Sequence, residues 1–243
     1  MPFSKLIDDW LEELEPLQFG PPVTHVYNPL GYARQPHDRY LERYGRPPKS
    51  IVLLGMNPGP WGMAQTGVPF GEVSTVRKWL KIEGRVGAPD TPHPARPVMG
   101  FSCDRSEVSG RRLWGWAEER FGTPERFFAR FFVANYCPLL FLEESGRNRT
   151  PDRLPASEKK PLFSVCDRAL RAWAEALSPE WVIGVGRFAA DRARSALSGF
   201  DLRIGRVSHP SPANPRANKD WGRLAESELA ELGISLFKDG ESG

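Results

Sequence analysis

The chain has 243 residues, of which 40% are hydrophobic and 26% charged, and its net charge is +3. This composition is typical of a globular protein with room for one large α/β domain or two small ones. No run approaches the ~20 apolar residues of a membrane span, and the amino terminus lacks a signal-peptide pattern, so we expect no membrane partner.

The first predicted element is an amphipathic helix over residues 4–15, in which apolar residues recur at helical spacing. Residues 16–50 are rich in Pro, Gly and Tyr and are predicted to form an ordered wrap. The later predicted strands are 51–54, 131–134, 181–185, 202–207 and a short edge strand at 234–237. The later predicted helices are 73–82, 162–177, 188–197 and 218–232.

Strands that alternate with helices predict an α/β fold, with a parallel sheet covered on both faces. We expect one domain over residues 1–243. Within it, residues 1–50 would form the amino-terminal helix and wrap, and residues 222–243 the carboxy-terminal helix and tail.

The three cysteines, Cys103, Cys137 and Cys166, are widely spaced and form no C-x-x-C pair. This spacing argues against a disulfide framework, a zinc knuckle and a four-cysteine iron–sulfur cluster. We therefore expect buried thiols, no cofactor and no metal ligands.

Polar residues follow three of the predicted strands at the point where each strand ends. Asn57 lies in a loop of prolines and glycines after the first strand, Asn135 follows the second, and His209 begins a proline-rich loop after the fourth. Because ligands bind at the carboxyl ends of strands in doubly wound sheets, these residues are expected to converge on one crevice. Each also has a structural interpretation, as a turn-forming asparagine or a histidine at a turn.

Phe70 lies between Pro69 and Gly71 in a loop, where an aromatic ring is poorly placed to join the core. It could be a platform for a flat ligand or an anchor that fixes the loop. The Asn135 amide offers a donor and an acceptor, which suits a cis-amide edge such as that of uracil. The loop behind His209 is expected to be a rigid wedge, with Arg216 and Lys219 nearby.

A competing motif, G-x-G-x-x-A at residues 184–189, matches the dinucleotide-binding fingerprint. It follows the third strand rather than the first, and no acid stands about 20 residues further on. Close packing of strand against helix explains Gly184 and Gly186. The P-loop pattern and the H-x-E…P-C-x-x-C deaminase signature are absent from the sequence.

Several segments together resemble the single-strand-selective monofunctional uracil-DNA glycosylases. They are residues 55–60 (Gly-Met-Asn-Pro-Gly-Pro) and 62–73, Asn135 with 137–139, 145–148 with 150–151, and 209–212 with 214–215 and 217–219; the resemblance extends from about residue 20 to residue 221. It implies a three-layer α/β/α fold with a central, four-stranded, mostly parallel sheet.

The resemblance also implies a role for individual residues. Asn57 would position the attacking water, and His209 would hydrogen-bond the departing base. Asn135 would bind the uracil edge and Phe70 would stack on the ring. The remaining expected substrate-binding residues are Met56, through its main-chain N–H, and Gly59, which would leave room for a substituent at C5.

A DNA-binding loop is implied as well, and Ala213 stands in it where the resemblance leads us to expect a basic residue. The residues expected to contact DNA are Pro210, Ser211, Pro212, Ala213, Asn214, Pro215, Arg216 and Lys219.

The expected activity is hydrolysis of the N-glycosidic bond of uracil, and of 5-hydroxymethyluracil, in single- or double-stranded DNA, leaving an abasic site. The alternatives are a glycosylase for hypoxanthine or xanthine, a non-catalytic DNA-binding module of the same fold and, more remotely, a nucleotide-binding oxidoreductase. We expect a monomer that acts on DNA containing uracil or other deaminated or oxidised bases. A bacterial protein of the cytoplasm and nucleoid is expected, or a nuclear one if the source is eukaryotic.

Overall fold

The computed structural model describes residues 3–237. The strands are β1 (Val23–Tyr27), β2 (Ile51–Gly55), β3 (Phe131–Asn135), β4 (Leu140–Glu143), β5 (Asn148–Arg149), β6 (Trp181–Val185) and β7 (Arg203–Val207). The helices are α1 (Ser4–Leu14), α2 (Pro29–Tyr32), α3 (Arg34–Tyr44), α4 (Met63–Thr66), α5 (Val73–Lys78), α6 (Val108–Phe121), α7 (Pro124–Phe128), α8 (Ala156–Leu177), α9 (Arg187–Ala196) and α10 (Ala217–Glu231), with 3₁₀ turns at Gly100–Ser102 and Pro151–Arg153.

A four-stranded sheet of order β3-β2-β6-β7 forms the centre of the fold, and all three of its strand pairs are parallel. The register aligns Gly55 with Asn135 and Val185 with Val207, so the four carboxyl ends lie along one edge. Because β3 and β6 lie on opposite sides of β2, the edge at the end of β2 is a topological switch point, where such sheets bind ligands.

Helices cover both faces of this sheet. Successive residues of β3 point to opposite faces. The Phe131 ring packs on Trp116 of α6, 6.2 Å between ring centroids, whereas Phe132 packs on Trp173 of α8 at 5.5 Å. The three-layer α/β/α architecture expected from the sequence is therefore confirmed.

A second, antiparallel sheet of order β1-β4-β5 was not predicted. Its strands have two to five residues, too few for a periodic signal to stand out. β1 lies within residues 16–50 together with α2 and α3. The Tyr27, Tyr40 and Tyr44 side chains of this segment are buried, so it is an ordered part of the fold.

The predicted edge strand at residues 234–237 is wrong. Gly233 has a φ of +78°, and the Ile234 N–H donates to the Leu229 carbonyl at 3.0 Å, so the chain turns back onto the end of α10. Ile234 is buried there rather than paired with β7. The tail beyond residue 237 lies outside the described residues.

Two helix predictions have the wrong length. α5 ends at Lys78 rather than at residue 82, because Lys81 adopts a φ of +55° that no helix tolerates. α8 begins at Ala156, six residues before its predicted start, and contains Pro161 within its second turn. A proline there argues against a helix by its sequence alone, but packing overrides this local preference.

Close packing of helix on strand accounts for Gly184 in β6 but not for Gly186, which has a φ of +95° and whose added Cβ would have His209 as its nearest neighbour, at 3.4 Å. A Cβ at Gly184 would lie 2.2 Å from the Ala190 nitrogen, so α9 approaches β6 too closely for any side chain there. All three cysteines are free and buried. No helix among residues 3–237 has the length and apolar character needed to cross a membrane.

Candidate active site

A cavity of about 410 Å³ opens at the carboxyl edge of the parallel sheet. Residues 56–60 after β2, Asn135 at the end of β3, and His209 after β7 all line it, and Phe70 lies against them. The convergence predicted from the strand ends is therefore present. The predicted residues Met56, Asn57 and Gly59 belong to the same wall.

The Asn57 side chain is oriented by the backbone around it. Its Nδ2 donates to the Leu139 carbonyl at 3.2 Å and lies 3.5 Å from the Pro58 carbonyl. Because these carbonyls occupy the amide N–H groups, Oδ1 of this cavity-lining residue remains as an acceptor. An oriented amide acceptor of this kind can hold a water molecule in a fixed direction.

Asn135 is 7% exposed and supplies a buried acceptor that no protein group satisfies. Its Nδ2 lies 3.2 Å from the Met63 sulfur, and its Oδ1 has no hydrogen-bond partner within the described chain. Leaving such an acceptor unpaired costs about 1–3 kcal/mol. A ligand N–H in the cavity would relieve this cost.

Gly55 leaves space for the Asn135 amide and the Phe70 ring, which both lie close to its backbone. A Cβ at Gly55 would lie 2.3 Å from Asn135 Oδ1 and 2.6 Å from Cε2 of Phe70. The amide and the ring therefore meet over a position that only glycine can occupy. A flat ligand with an N–H in its edge fits this combination of ring and acceptor.

Phe70 has a φ of +53°, which is uncommon for an aromatic residue and costs about 1–3 kcal/mol. The surrounding backbone holds this conformation. The Phe70 carbonyl accepts from the Glu72 N–H at 2.8 Å, and a Cβ at Gly110 of α6 would lie 2.0 Å from the same oxygen. The strained backbone places the ring against the cavity, with its centroid 6.2 Å from that of His209.

His209 is held as a neutral imidazole with a defined tautomer. Its Nδ1 lies 3.0 Å from the Ser211 backbone nitrogen, which can only donate, so the ring proton is on Nε2. Burial lowers the pKa of His209 to about 4. At neutral pH the residue is therefore an uncharged donor through Nε2–H.

The loop after His209 is compact. The Asn214 Nδ2 donates to the His209 carbonyl at 3.0 Å, and the Arg112 guanidinium donates to the Pro210 carbonyl at 2.9 Å, which fixes the loop to α6. Of the residues expected to contact DNA, only Ser211 lines the cavity itself. The exposed members on the outer surface of the loop and on α10 are Pro212, Ala213, Pro215, Arg216 and Lys219.

Glu107, immediately before α6, also lines the cavity, although nothing in the sequence singled it out. A Cβ at Gly59 would lie 2.4 Å from its Oε2, and one at Gly62 would lie 1.9 Å away. Burial, reinforced by the Glu72 carboxylate, raises the pKa of Glu107 to about 7, and Oε2 has no partner among the described residues. The sequence shows only an acid one residue before a helix, and the missing capping hydrogen bond is visible only in the structure.

The cavity therefore combines an oriented amide, a buried amide with an unpaired acceptor, a ring, a neutral imidazole donor and a carboxyl group that is half protonated near pH 7. Asn148 of the short strand β5, Thr150 just after it and Ser109 of α6 also line the cavity. No group of three His, Cys, Asp or Glu side chains within residues 3–237 is arranged to hold a metal ion.

Comparison with known proteins gives consistent results. Residues 42–229 match the model of the uracil DNA glycosylase superfamily. The chain is 52% identical over 224 residues to the single-strand selective monofunctional uracil-DNA glycosylase of Rattus norvegicus, covering 91% of this chain and 81% of the rat protein. It is 51% identical to the corresponding protein of Bos taurus over 225 residues, covering 92% and 83% of the two chains.

The fold is also similar to the crystal structure of wild-type SMUG2 from Pedobacter heparinus. The TM-score is 0.66 at 18% sequence identity, covering 95% of this chain and 99% of that one. The curated relatives named above are mammalian, so they give no support to the expected bacterial source.

Proposed function

The chain belongs to the uracil DNA glycosylase superfamily and, within it, to the single-strand selective monofunctional uracil-DNA glycosylases. From this premise we propose that its cavity binds a uracil flipped out of DNA and hydrolyses the N-glycosidic bond. The observation that carries the mechanism is the buried, unpaired Oδ1 of Asn135 beside the Phe70 ring. The relatives' names state the uracil-DNA glycosylase activity, and the residue roles are our proposal.

Base capture depends on Asn135 and Phe70. Flipping a base out of the stack costs a few kcal/mol. Stacking on an aromatic ring returns about 1–3 kcal/mol per base. The imide N–H of uracil would donate to Asn135 Oδ1, and a uracil carbonyl would accept from Nδ2 in place of the weak contact to the Met63 sulfur.

His209 would stabilise the departing base. As the glycosidic bond breaks, negative charge develops on the uracil carbonyl oxygens, and the Nε2–H of a neutral imidazole can donate to one of them. A fixed donor to a developing anion is typically worth about 2.7–4 kcal/mol in the transition state. The pKa of about 4 means that this donor is present throughout the neutral range.

Asn57 would orient the water that attacks the sugar cation. An amide cannot deprotonate water at neutral pH, but the cation is electrophilic enough to need mainly a correctly placed nucleophile. No lysine is among the described residues that line the cavity, so no Schiff base is expected. The product is therefore an abasic site with an intact backbone.

We extend the proposal to 5-hydroxymethyluracil, which would place its extra group beside Gly59. The absence of a side chain there leaves the Glu107 carboxyl facing the substituent, and this carboxyl can hydrogen-bond a hydroxyl. Oxidised and deaminated bases other than uracil would compete for the same space. Residues 210–216 and Lys219 would contact the DNA backbone or enter the gap that the base leaves.

We also propose that the protein acts as a monomer, in one domain. Among the described residues only Val26 and Met99 are exposed large hydrophobic side chains, which leaves little apolar surface for a stable partner. Acting on DNA, it would work in the nucleus of a eukaryotic cell.

The test uses labelled single-stranded oligonucleotides that carry one uracil, 5-hydroxymethyluracil, hypoxanthine or xanthine. After incubation, alkali cleaves any abasic site, and a parallel sample is treated with borohydride. Release of uracil without a trapped covalent adduct supports the proposal. Release of hypoxanthine or xanthine in preference to uracil would instead support the other glycosylase specificity.

A further inference from the structure

Two arginines lie over the ring of Trp61, directly beside the cavity. The Arg105 guanidinium carbon is 4.5 Å from the centroid of the Trp61 ring, and that of Arg96 is 5.4 Å away. Each distance is within the range of a cation–π interaction. Arg96, Trp61 and Arg105 together are called the Arg–Trp cluster below.

The Arg–Trp cluster is connected to the cavity wall by short stretches of chain. Trp61 directly follows Pro60, the last residue of the cavity wall after β2, and Arg105 comes two residues before Glu107 on the facing wall. Arg96 is brought in from a third segment. These chain connections keep the two guanidiniums close to the cavity wall.

Buried hydrogen bonds through Gln65 fix the geometry of the cluster. Gln65 is fully buried, and its Nε2 donates to the Pro60 carbonyl at 2.8 Å and to the Pro97 carbonyl at 3.0 Å. One side chain thus joins the backbone next to Trp61 to the backbone next to Arg96. These two hydrogen bonds hold the segment that carries Trp61 next to the segment that carries Arg96.

Among the described residues neither guanidinium has an acidic partner, and both have free donors. Within residues 3–237, the Arg105 side chain makes no hydrogen bond or ion pair. Arg96 donates only to the neighbouring Ala95 carbonyl, and its Nε is buried and unpaired. Two like charges over one ring repel each other, and an anion between or beside them would relieve this repulsion.

We propose that the Arg–Trp cluster binds a backbone phosphate of the substrate strand next to the flipped nucleotide. A guanidinium held close to a ring loses little freedom when it hydrogen-bonds a phosphate, and its planar N–H groups match phosphate oxygens in pairs. This inference rests on the proposed function, because the occupant is the DNA of the same reaction. It assigns the phosphate contact to residues outside the 210–219 loop.

The test measures binding of a single-stranded oligonucleotide that contains a 2′-fluorinated deoxyuridine, which resists cleavage. Fluorescence anisotropy gives Kd at several salt concentrations for the wild type, for Arg105→Ala and for Arg203→Ala. Arg203 is the matched control, since it also lies over a tryptophan, 4.7 Å from the Trp181 ring centroid, but at the amino edge of the sheet.

Arg105→Ala is expected to weaken binding by about tenfold and to reduce the slope of log K against log salt by about 0.7, one phosphate contact on a single strand. Arg203→Ala should change neither. Trp61→Leu should lose part of the affinity, and Trp61→Phe should restore most of it, because phenylalanine still presents an aromatic face.

Two results separate the possible failures. If Arg105→Ala matches Arg203→Ala in Kd and salt slope, the inference is overturned, and a lower melting temperature of Arg105→Ala would then show that the cluster only stabilises the fold. If the wild type releases no uracil, the proposed function fails, whatever the binding data show.

Discussion

The Glu107→Gln substitution tests the unusual carboxyl group in the cavity wall. Burial raises the pKa of Glu107 from 4.5 to about 7. Between these two pH values, the folded protein therefore holds a proton that the unfolded chain has released. A folded pKa above the unfolded one contributes stability that is complete below pH 4.5 and is lost as the pH rises through 7. Glutamine, which does not titrate, is free of this loss.

The magnitude follows from the size of the shift. At 1.36 kcal/mol per pKa unit, the rise of the Glu107 pKa from 4.5 to about 7 corresponds to about 3 kcal/mol. The free energy of unfolding of Glu107→Gln, relative to the wild type, should therefore rise by up to this amount between pH 4.5 and pH 8. Other titrating groups are common to both proteins and cancel in the difference.

Urea unfolding of both proteins, followed by tryptophan fluorescence at half-unit pH steps, measures this difference. A difference that stays constant from pH 4.5 to pH 8 would show that Glu107 titrates normally in the folded state. It would also remove the reason to treat the cavity wall as protonated near pH 7.

Further predictions concern the groups that face the ligand. His209→Ala should slow single-turnover release of uracil by about 10²–10³-fold. In the Glu107→Gln variant, which keeps His209, the rate of uracil release should not change from pH 5 to 8, because burial holds the pKa of His209 near 4. An inflection near pH 6.5 would contradict this. Asn135→Ala should abolish uracil binding yet leave the melting temperature nearly unchanged, since the loss of packing is offset by removal of the unpaired acceptor. Gly55→Ala should lower activity at least tenfold, because its Cβ would lie 2.3 Å from Asn135 Oδ1. The control Gly115→Ala has nothing within 4 Å of its Cβ, so it should keep full activity and gain about 0.5–1 kcal/mol of helix stability. Equal activity of the two alanine variants would show that Gly55 is not needed to shape the site.

The central sheet was predictable because its strands are short buried runs bounded by turn residues. β2, for example, is buried at all five positions, and the predicted segment 51–54 differs from it by one residue. Parallel pairing then brings the ends of β2, β3 and β7 to one edge, so the grouping of Asn57, Asn135 and His209 could be inferred before any distance was known.

The remaining features depend on packing between segments far apart in the sequence. Glu107 lines the cavity because Gly59 and Gly62 leave space for its carboxyl, and no local pattern records that relation. The Arg–Trp cluster likewise needs Gln65 to hold two segments together. The turn at Ile234 follows from Gly233 and from burial against α10, which override the strand preference of a short apolar run.

Single-turnover uracil release tests the central claim most directly. Excess enzyme is mixed with a single-stranded oligonucleotide containing one uracil, and alkali-labile product is followed over time for the wild type and Asn57→Ala. The wild type should convert the substrate to an abasic strand, and Asn57→Ala should be slower by orders of magnitude with an unchanged melting temperature. Full activity in Asn57→Ala would contradict the water-positioning role, and no release by the wild type would contradict the function itself.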